Sequence, residues 1–155
     1  MAQVSVAKII DAPIANVWAT WDAFGDIYKF NPGVRRSRLL ENSAETGLGA
    51  KRQCDLTDGK NYVREEIVEY IPQKRMKIRI IGGTMPMKCA DAIISFSAHK
   101  GHTTRVQFDM NFEPRPGLLG RMMVPMMKVM MRKTIVRILA ANDGYLRGPA
   151  MAQVA

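Results

Sequence analysis

The stretch TTRVQFDMNFEPRPGLLGRMMVPMMKVMMRKTIVRILAANDGYLR, residues 103–147, carries the transition on which the fold turns. Its first eleven residues alternate like a half-buried strand, with Val106, Phe108, Met110 and Phe112 on one face. Pro114 and Pro116 then stop the strand, since proline cannot donate to a sheet ladder. From Leu118 to Leu146 the period changes to that of a helix. Met123, Met127, Met130, Thr134, Ile138, Ala141 and Tyr145 recur at spacings of four and three, an amphipathic stripe with Met131 beside it. Arg121, Lys128 and Arg132 fall together on the opposite side. Pro125 is expected to break or kink the helix near its start.

Upstream, strand signals recur at short intervals. Runs rich in β-branched and aromatic residues at about 35–40, 50–57, 61–70, 75–82 and 87–97 are separated by turn clusters such as Thr57-Asp58-Gly59-Lys60 and Ile71-Pro72-Gln73-Lys74. With the strand at 103–113 they form an antiparallel meander, because connections this short cannot cross over to a parallel neighbour. Before them, Val4–Ile10 reads as a strand. Asp11-Ala12-Pro13 opens a helix whose Ile14, Val17, Trp18 and Trp21 share one face. Gly25 is expected to end that helix, and Ile27–Gly33 to form a second short helical turn. The sum is an α+β arrangement: a curved antiparallel sheet of about seven strands wrapped around a long C-terminal helix. Such a sheet leaves room between itself and the helix. Residues 1–147 make one ligand-binding domain, and 148–155 an unstructured tail with little to bury.

Composition narrows the function. The 155 residues are 47% hydrophobic and 24% charged, a globular balance that excludes a disordered chain. No apolar run reaches the roughly 18–20 residues of a membrane span. The start lacks a basic segment followed by an apolar one, so no secretory signal is expected. Cys54 and Cys89 are far apart and form no CxxC, which fits a reduced cytoplasmic protein without zinc or a disulfide framework. Lysine and arginine number 23 against 14 acids, a net charge of +9. Residues 115–147 carry seven basic residues and one acid, Asp143, a net +6 within one segment. This field favours anionic partners, including weak contact with an anionic membrane surface. No nucleic-acid-binding motif accompanies it, so no nucleic-acid partner is expected. Six of the twelve methionines lie between Met122 and Met131. Their unbranched thioethers suit a deformable wall beside an apolar cavity as well as a plain core.

Several strings, in this order, resemble the START-like or SRPBCC superfamily, and more closely its polyketide cyclase/dehydrase and lipid-transport family. They are Ile10-Asp11-Ala12-Pro13 with Val17-Trp18, then Phe24-Gly25 with Phe30-Asn31-Pro32-Gly33-Val34, then Gly47-x-Gly49-Ala50-x-Arg52. Val63 to Tyr70, the step Met85-Pro86-Met87 and the strand Phe108 to Pro114 complete the set. The resemblance spans about residues 3–146. It implies a helix-grip fold and either a carrier of hydrophobic ligands or a cyclase-type enzyme. Phe30 stands where many members have tryptophan, and Ile78 where many have tyrosine. These departures make the pocket more apolar and remove proton donors.

Candidate chemistry is sparse. Glu65 alternates with Val63 and Ile67, so its carboxyl is expected to point inward. It would then be either a desolvated acid/base or the partner of an arginine such as Arg52 or Arg79. Asp91 is a comparable candidate. Cys89 has no neighbouring histidine and reads as a small core thiol. His99 and His102 flank a polar turn and lack a third ligand, so neither metal nor cofactor is expected. The reading that follows is a non-enzymatic binding protein for a hydrophobic or amphipathic small molecule or lipid, as monomer or homodimer. Its cavity would be lined by Trp18, Phe30, Val63, Glu65, Ile78, Ile80, Phe108, Met110, Phe112, Met123, Met127, Met130 and Tyr145. The rival is a polyketide cyclase or dehydratase with Glu65 as acid/base.

Overall fold

The computed structural model describes residues 1–148. The chain runs β1 (Ala2–Ile10), α1 (Ile14–Asp22), a 3₁₀ turn (Phe24–Lys29), β2 (Val34–Leu39), β3 (Lys51–Leu56), β4 (Tyr62–Ile71), β5 (Arg75–Gly83), β6 (Met87–His99), β7 (Thr103–Pro114) and α2 (Leu118–Arg147). The seven strands form one sheet in the order β1-β7-β6-β5-β4-β3-β2. Every pairing is antiparallel. The first strand thus pairs with the last, and the second forms the far edge. The chain must cross the whole sheet between them, and α1 and the 3₁₀ turn make that crossing on the face that α2 also covers.

Alternation decides which residues face the helices. Ala90, Ala92, Ile94 and Phe96 of β6 are buried, as are Thr104, Val106, Phe108 and Phe112 of β7. The intervening side chains point to the other face. Two register shifts in β4, at Arg64/Glu65 and Ile67/Glu69, and one in β2, at Val34/Arg36, bend the sheet around the helices. Gly25 lies in the 3₁₀ turn, where a Cβ would come 2.9 Å from Leu39 Cγ. A larger residue would lift the turn off β2.

The helix ends differ from the expected ones. α1 stops at Asp22, where the Ala23 N–H bonds the Ala19 carbonyl. The second turn begins at Phe24 rather than Ile27, because Phe24 and Ile27 both bury there and draw the turn onto β2 and β3. α2 runs through Pro125 as one helix. Pro125 is exposed and in the second turn, so it removes one hydrogen bond, to Arg121, and water can satisfy that carbonyl.

The inward face of α2 keeps Met127, Met131, Ile138, Ala141 and Tyr145 of the expected stripe but is rotated away from its other members. Gly120, Val124, Met127, Met131, Ile135, Ile138, Leu139, Ala141, Asn142, Asp143, Tyr145 and Leu146 are its buried or half-buried positions, whereas Met123, Met130 and Thr134 are exposed. Methionine density pulled the predicted stripe toward Met123 and Met130. The actual orientation is set by Ile135, Leu139 and Asn142, which lie on the opposite side of Ile138. The expected tail lies outside the described residues except for Gly148, whose N–H bonds the Tyr145 carbonyl at the end of α2.

Candidate functional site

The concave face of the sheet divides by what covers it. Over β6 and β7, α1 contributes Trp18 and Trp21. The Trp18 ring centroid lies 5.1 Å from Phe96 and 5.4 Å from Tyr70. Trp21 stands edge-on to Phe30 at 5.2 Å. A buried indole N–H needs an acceptor, and Trp21 Nε1 donates to Asn142 Oδ1 at 3.1 Å. Asn142 Nδ2 in turn donates to Thr20 Oγ1 at 2.9 Å, and that hydroxyl donates to the Val17 carbonyl at 2.7 Å. This chain fastens the C-terminal half of α2 to α1. Sequence reading missed Asn142. Its one available signal was a lone amide in register with Ile135 and Ile138.

Across the sheet, β3 and β4 bring Arg52 directly opposite Glu65. Arg52 Nε donates to Glu65 Oε2 at 2.7 Å, and Nη1 donates to the Phe24 carbonyl at 2.9 Å. The guanidinium lies 3.9 Å over the Phe24 ring centroid. The Arg52 side chain is 4% exposed and that of Glu65 18%. Glu65 therefore faces inward as a cation's partner. Register selects Arg52 over Arg79, which stands opposite Glu66. Cys54 Sγ is 3.7 Å from Glu65 Oε2. Burial first, and the Glu65 charge second, push the Cys54 thiol up to about 12, so it stays protonated and unreactive at neutral pH.

The other candidates lie on the convex side. Asp91 accepts from Arg79 Nε at 3.0 Å and lies 3.7 Å from Lys77 Nζ. Cys89 is half-buried beside Glu113 rather than in the core, because Ala90 and Ala92 take the inward positions of β6. Burial and the Glu113 hydrogen bond raise its thiol above the ordinary value. His99 contacts Thr103 in an exposed turn. Among the described residues no group of three or more His, Cys, Asp or Glu is placed to hold a metal ion.

Of the expected lining, Trp18, Phe30, Val63, Ile78, Phe108 and Phe112 are buried in the core. Glu65, Ile80, Met110, Met127 and Tyr145 are half-buried, and Met123 and Met130 face solvent. Met110 lies one inward position from Phe112 on β7, opposite Ala92 of β6, and Ile80 stands opposite Glu65 of β4. Two open clefts lie to either side. One, of about 200 Å³, is bordered by Ala19, Ala23, Lys29, Phe30 and Tyr145. The other, of about 470 Å³, lies at the start of α2.

An antiparallel sheet curved around a C-terminal helix, with its crossing helices on the same face, is the helix-grip architecture of START-like proteins. The family described as polyketide cyclase/dehydrase and lipid transport matches residues 1–142, and the chain belongs to it. No curated protein matches the chain. Among solved structures, XoxI of Bacillus cereus is 16% identical, with 93% of this chain and 94% of that one covered at a TM-score of 0.77. TTHA0849 of Thermus thermophilus is 16% identical over 94% and 97%, at 0.76. Major latex-like protein 151 of Panax ginseng is 11% identical over 93% and 96%, at 0.71. At these identities the likeness is one of fold.

Proposed function

We propose that this chain is a cytoplasmic binding or carrier protein whose single domain, residues 1–147, holds a hydrophobic or amphipathic small molecule between the sheet and α2. One observation carries the reading. The N-terminal half of α2 turns Val124, Met127 and Met131 toward the sheet, while one end of the concave side of β6 carries only the small side chains Ala90 and Ala92, before Ile94 and Phe96 fill the other end. Small residues beneath flexible thioethers allow methionine rotation to open room without moving backbone. An apolar wall with few polar groups is the usual chemistry of such a site. Ile78, Ile80 and Met110 continue that wall, and the polar pair at its far side, Arg52 and Glu65, is mutually satisfied. The bond from Arg52 also weighs against Glu65 as a general base, because it engages the carboxylate Oε2 that a substrate would have to reach.

Titration with a neutral fluorescent probe, N-phenylnaphthylamine, tests the reading. Saturable one-to-one binding is expected, and Met127→Trp is expected to weaken it at least tenfold with little loss of stability. An overpacked, fully committed core would instead lose about 1–3 kcal/mol. That loss, together with no saturable binding by the wild type, would overturn the assignment.

A further inference from the structure

The outward face of the N-terminal half of α2 is as apolar as its inward face. Leu118, Met122, Met126 and Val129 follow at spacings of four, four and three, with Leu119 beside them. Each is more than half exposed, Leu118 and Leu119 at 75% and 74%. Nothing in the fold requires these side chains there, because α2 packs on β1, β7 and α1 through its other face. Lys133 closes the stripe, and Arg121, Lys128 and Arg132 form the flank between the outward and inward faces.

Charge complementarity says what covers this face. Between Glu113 and Asp143 the chain has six basic residues and no acid. The ion pairs nearest in sequence, Lys88–Glu113 and Arg147–Asp143, lie at the two ends of that segment and use none of the six. Arg115, Arg121 and Lys128 also border the 470 Å³ cleft at the start of α2, together with Glu113, whose carboxylate is paired with Lys88. That recess is large enough to admit a phosphate headgroup. The first turn of α2 contains no acidic residue, so its own side chains add no negative charge at the positive end of the helix dipole. A second copy of the chain is a poor occupant, since a two-fold contact would set one cationic flank against another. A convex helix with apolar residues at its crest and cations on its flank fits the interface of an anionic bilayer.

We propose that the outward face of the N-terminal half of α2, with Arg115 just before it, docks on anionic membranes. Leu118, Leu119, Met122, Met126 and Val129 enter the acyl boundary, while Arg115, Arg121, Lys128 and Arg132 meet lipid phosphates. Docking needs no ligand in the sheet, so it stands independently of the carrier reading. If both hold, the methionine-lined side of the helix faces the protein interior directly above the bilayer, and an apolar ligand has a short path between them.

Cosedimentation with vesicles of phosphatidylglycerol and phosphatidylcholine in equal parts, and of phosphatidylcholine alone, tests the docking. Binding to the mixed vesicles is expected, falling as salt rises because surface charges are screened beyond about 10 Å at 0.1 M salt. Arg121→Gln with Lys128→Gln is expected to weaken it about 30-fold at low salt, as two cations near an anionic surface should. Met122→Ser with Met126→Ser is expected to weaken it about tenfold or more through lost apolar burial. Melting temperature and N-phenylnaphthylamine binding should stay at wild-type values in both double variants. Equal binding to the two vesicle types, or wild-type binding by both variants, would overturn the proposal. So would self-association in sedimentation velocity that the serine variant abolishes, since the face would then belong to a second copy. Loss of probe binding alone would count against the carrier reading and leave docking standing.

Discussion

The two halves of α2 are built to opposite specifications. The C-terminal half buries Ile135, Ile138, Leu139 and Asn142 and is hydrogen-bonded to α1 through Trp21 and Thr20. Asp143 also accepts from the Asp11 backbone N–H at 3.1 Å. The N-terminal half places half-buried methionines on one side and exposed ones on the other. Thr134, just beyond that half, donates its hydroxyl only to the Met130 carbonyl one turn back. Directional polar contacts fix the C-terminal half in one arrangement. Thioether and leucine contacts have no such direction, so the N-terminal half can change what it touches at small cost. The anchored region continues through α1 and the 3₁₀ turn to Arg52 and Glu65. Stability should therefore concentrate there, and binding in the apolar half.

The largest effect is expected at the ion pair. Glu65→Gln leaves the Arg52 guanidinium buried without its counter-charge, and stability should fall by about 3–5 kcal/mol in chemical denaturation. Replacing both residues with apolar ones should recover most of that loss, since the pair itself contributes little beyond mutual neutralisation. An unchanged melting temperature for the Gln variant, with unchanged probe binding, would refute the structural role and return Glu65 to the list of acid/base candidates.

Asn142→Ala comes next. It strands the Trp21 indole N–H and takes a donor from Thr20, and each unsatisfied buried group costs about 1–3 kcal/mol. Melting should drop accordingly, while binding to anionic vesicles should not change. Equal loss of both would mean that the two halves of α2 act as one unit.

The two cysteines sharpen the same contrast chemically, one on each side of it. Cys54 is buried in the anchored region with its thiol raised to about 12. Cys89 is half-buried near the Met85–Met87 turn. At pH 8 an alkylating reagent should modify Cys89 slowly and Cys54 only when the protein unfolds. The sign of the linkage agrees. A thiol whose folded value is raised contributes stability below its unfolded value near 8.5, and that contribution disappears as pH climbs toward 12. Mass spectrometry of the labelled peptides would separate the two sites.

Much of this division was legible in the residues. Strand positions followed from alternation and turn clusters, and the six later strands fall within two residues of their expected ends. The inward direction of Glu65 followed from Val63 and Ile67. Its partner did not, because Arg52 and Arg79 satisfy the same pattern until register is known. The rotation of α2 was misread because both faces of its first half are apolar, so hydrophobicity alone could not say which one meets the sheet. Asn142 answers that question only once Trp21 is known to lie within hydrogen-bonding reach. Cys89 and Asp91 were misplaced for the opposite reason. Ala90 and Ala92 are too small to advertise an inward face.

The smallest effect belongs to the outward face. Met126→Ser removes an apolar side chain that is 54% exposed and in the first half of α2. Surface substitutions away from caps, ion pairs and packed contacts usually change stability by no more than about 0.5 kcal/mol. Replacing methionine with serine also lowers helix propensity by a few tenths of a kcal/mol, which falls within that range. Leu139→Ala, four turns further along and fully buried, should cost about 2–5 kcal/mol for a truncation of comparable size. The ratio of these two losses measures how unequal the halves are. Denaturant melts of both variants give it directly. A loss above about 1 kcal/mol for Met126→Ser would mean that its side chain is packed in solution, and the outward face would then be covered by protein rather than open to a membrane.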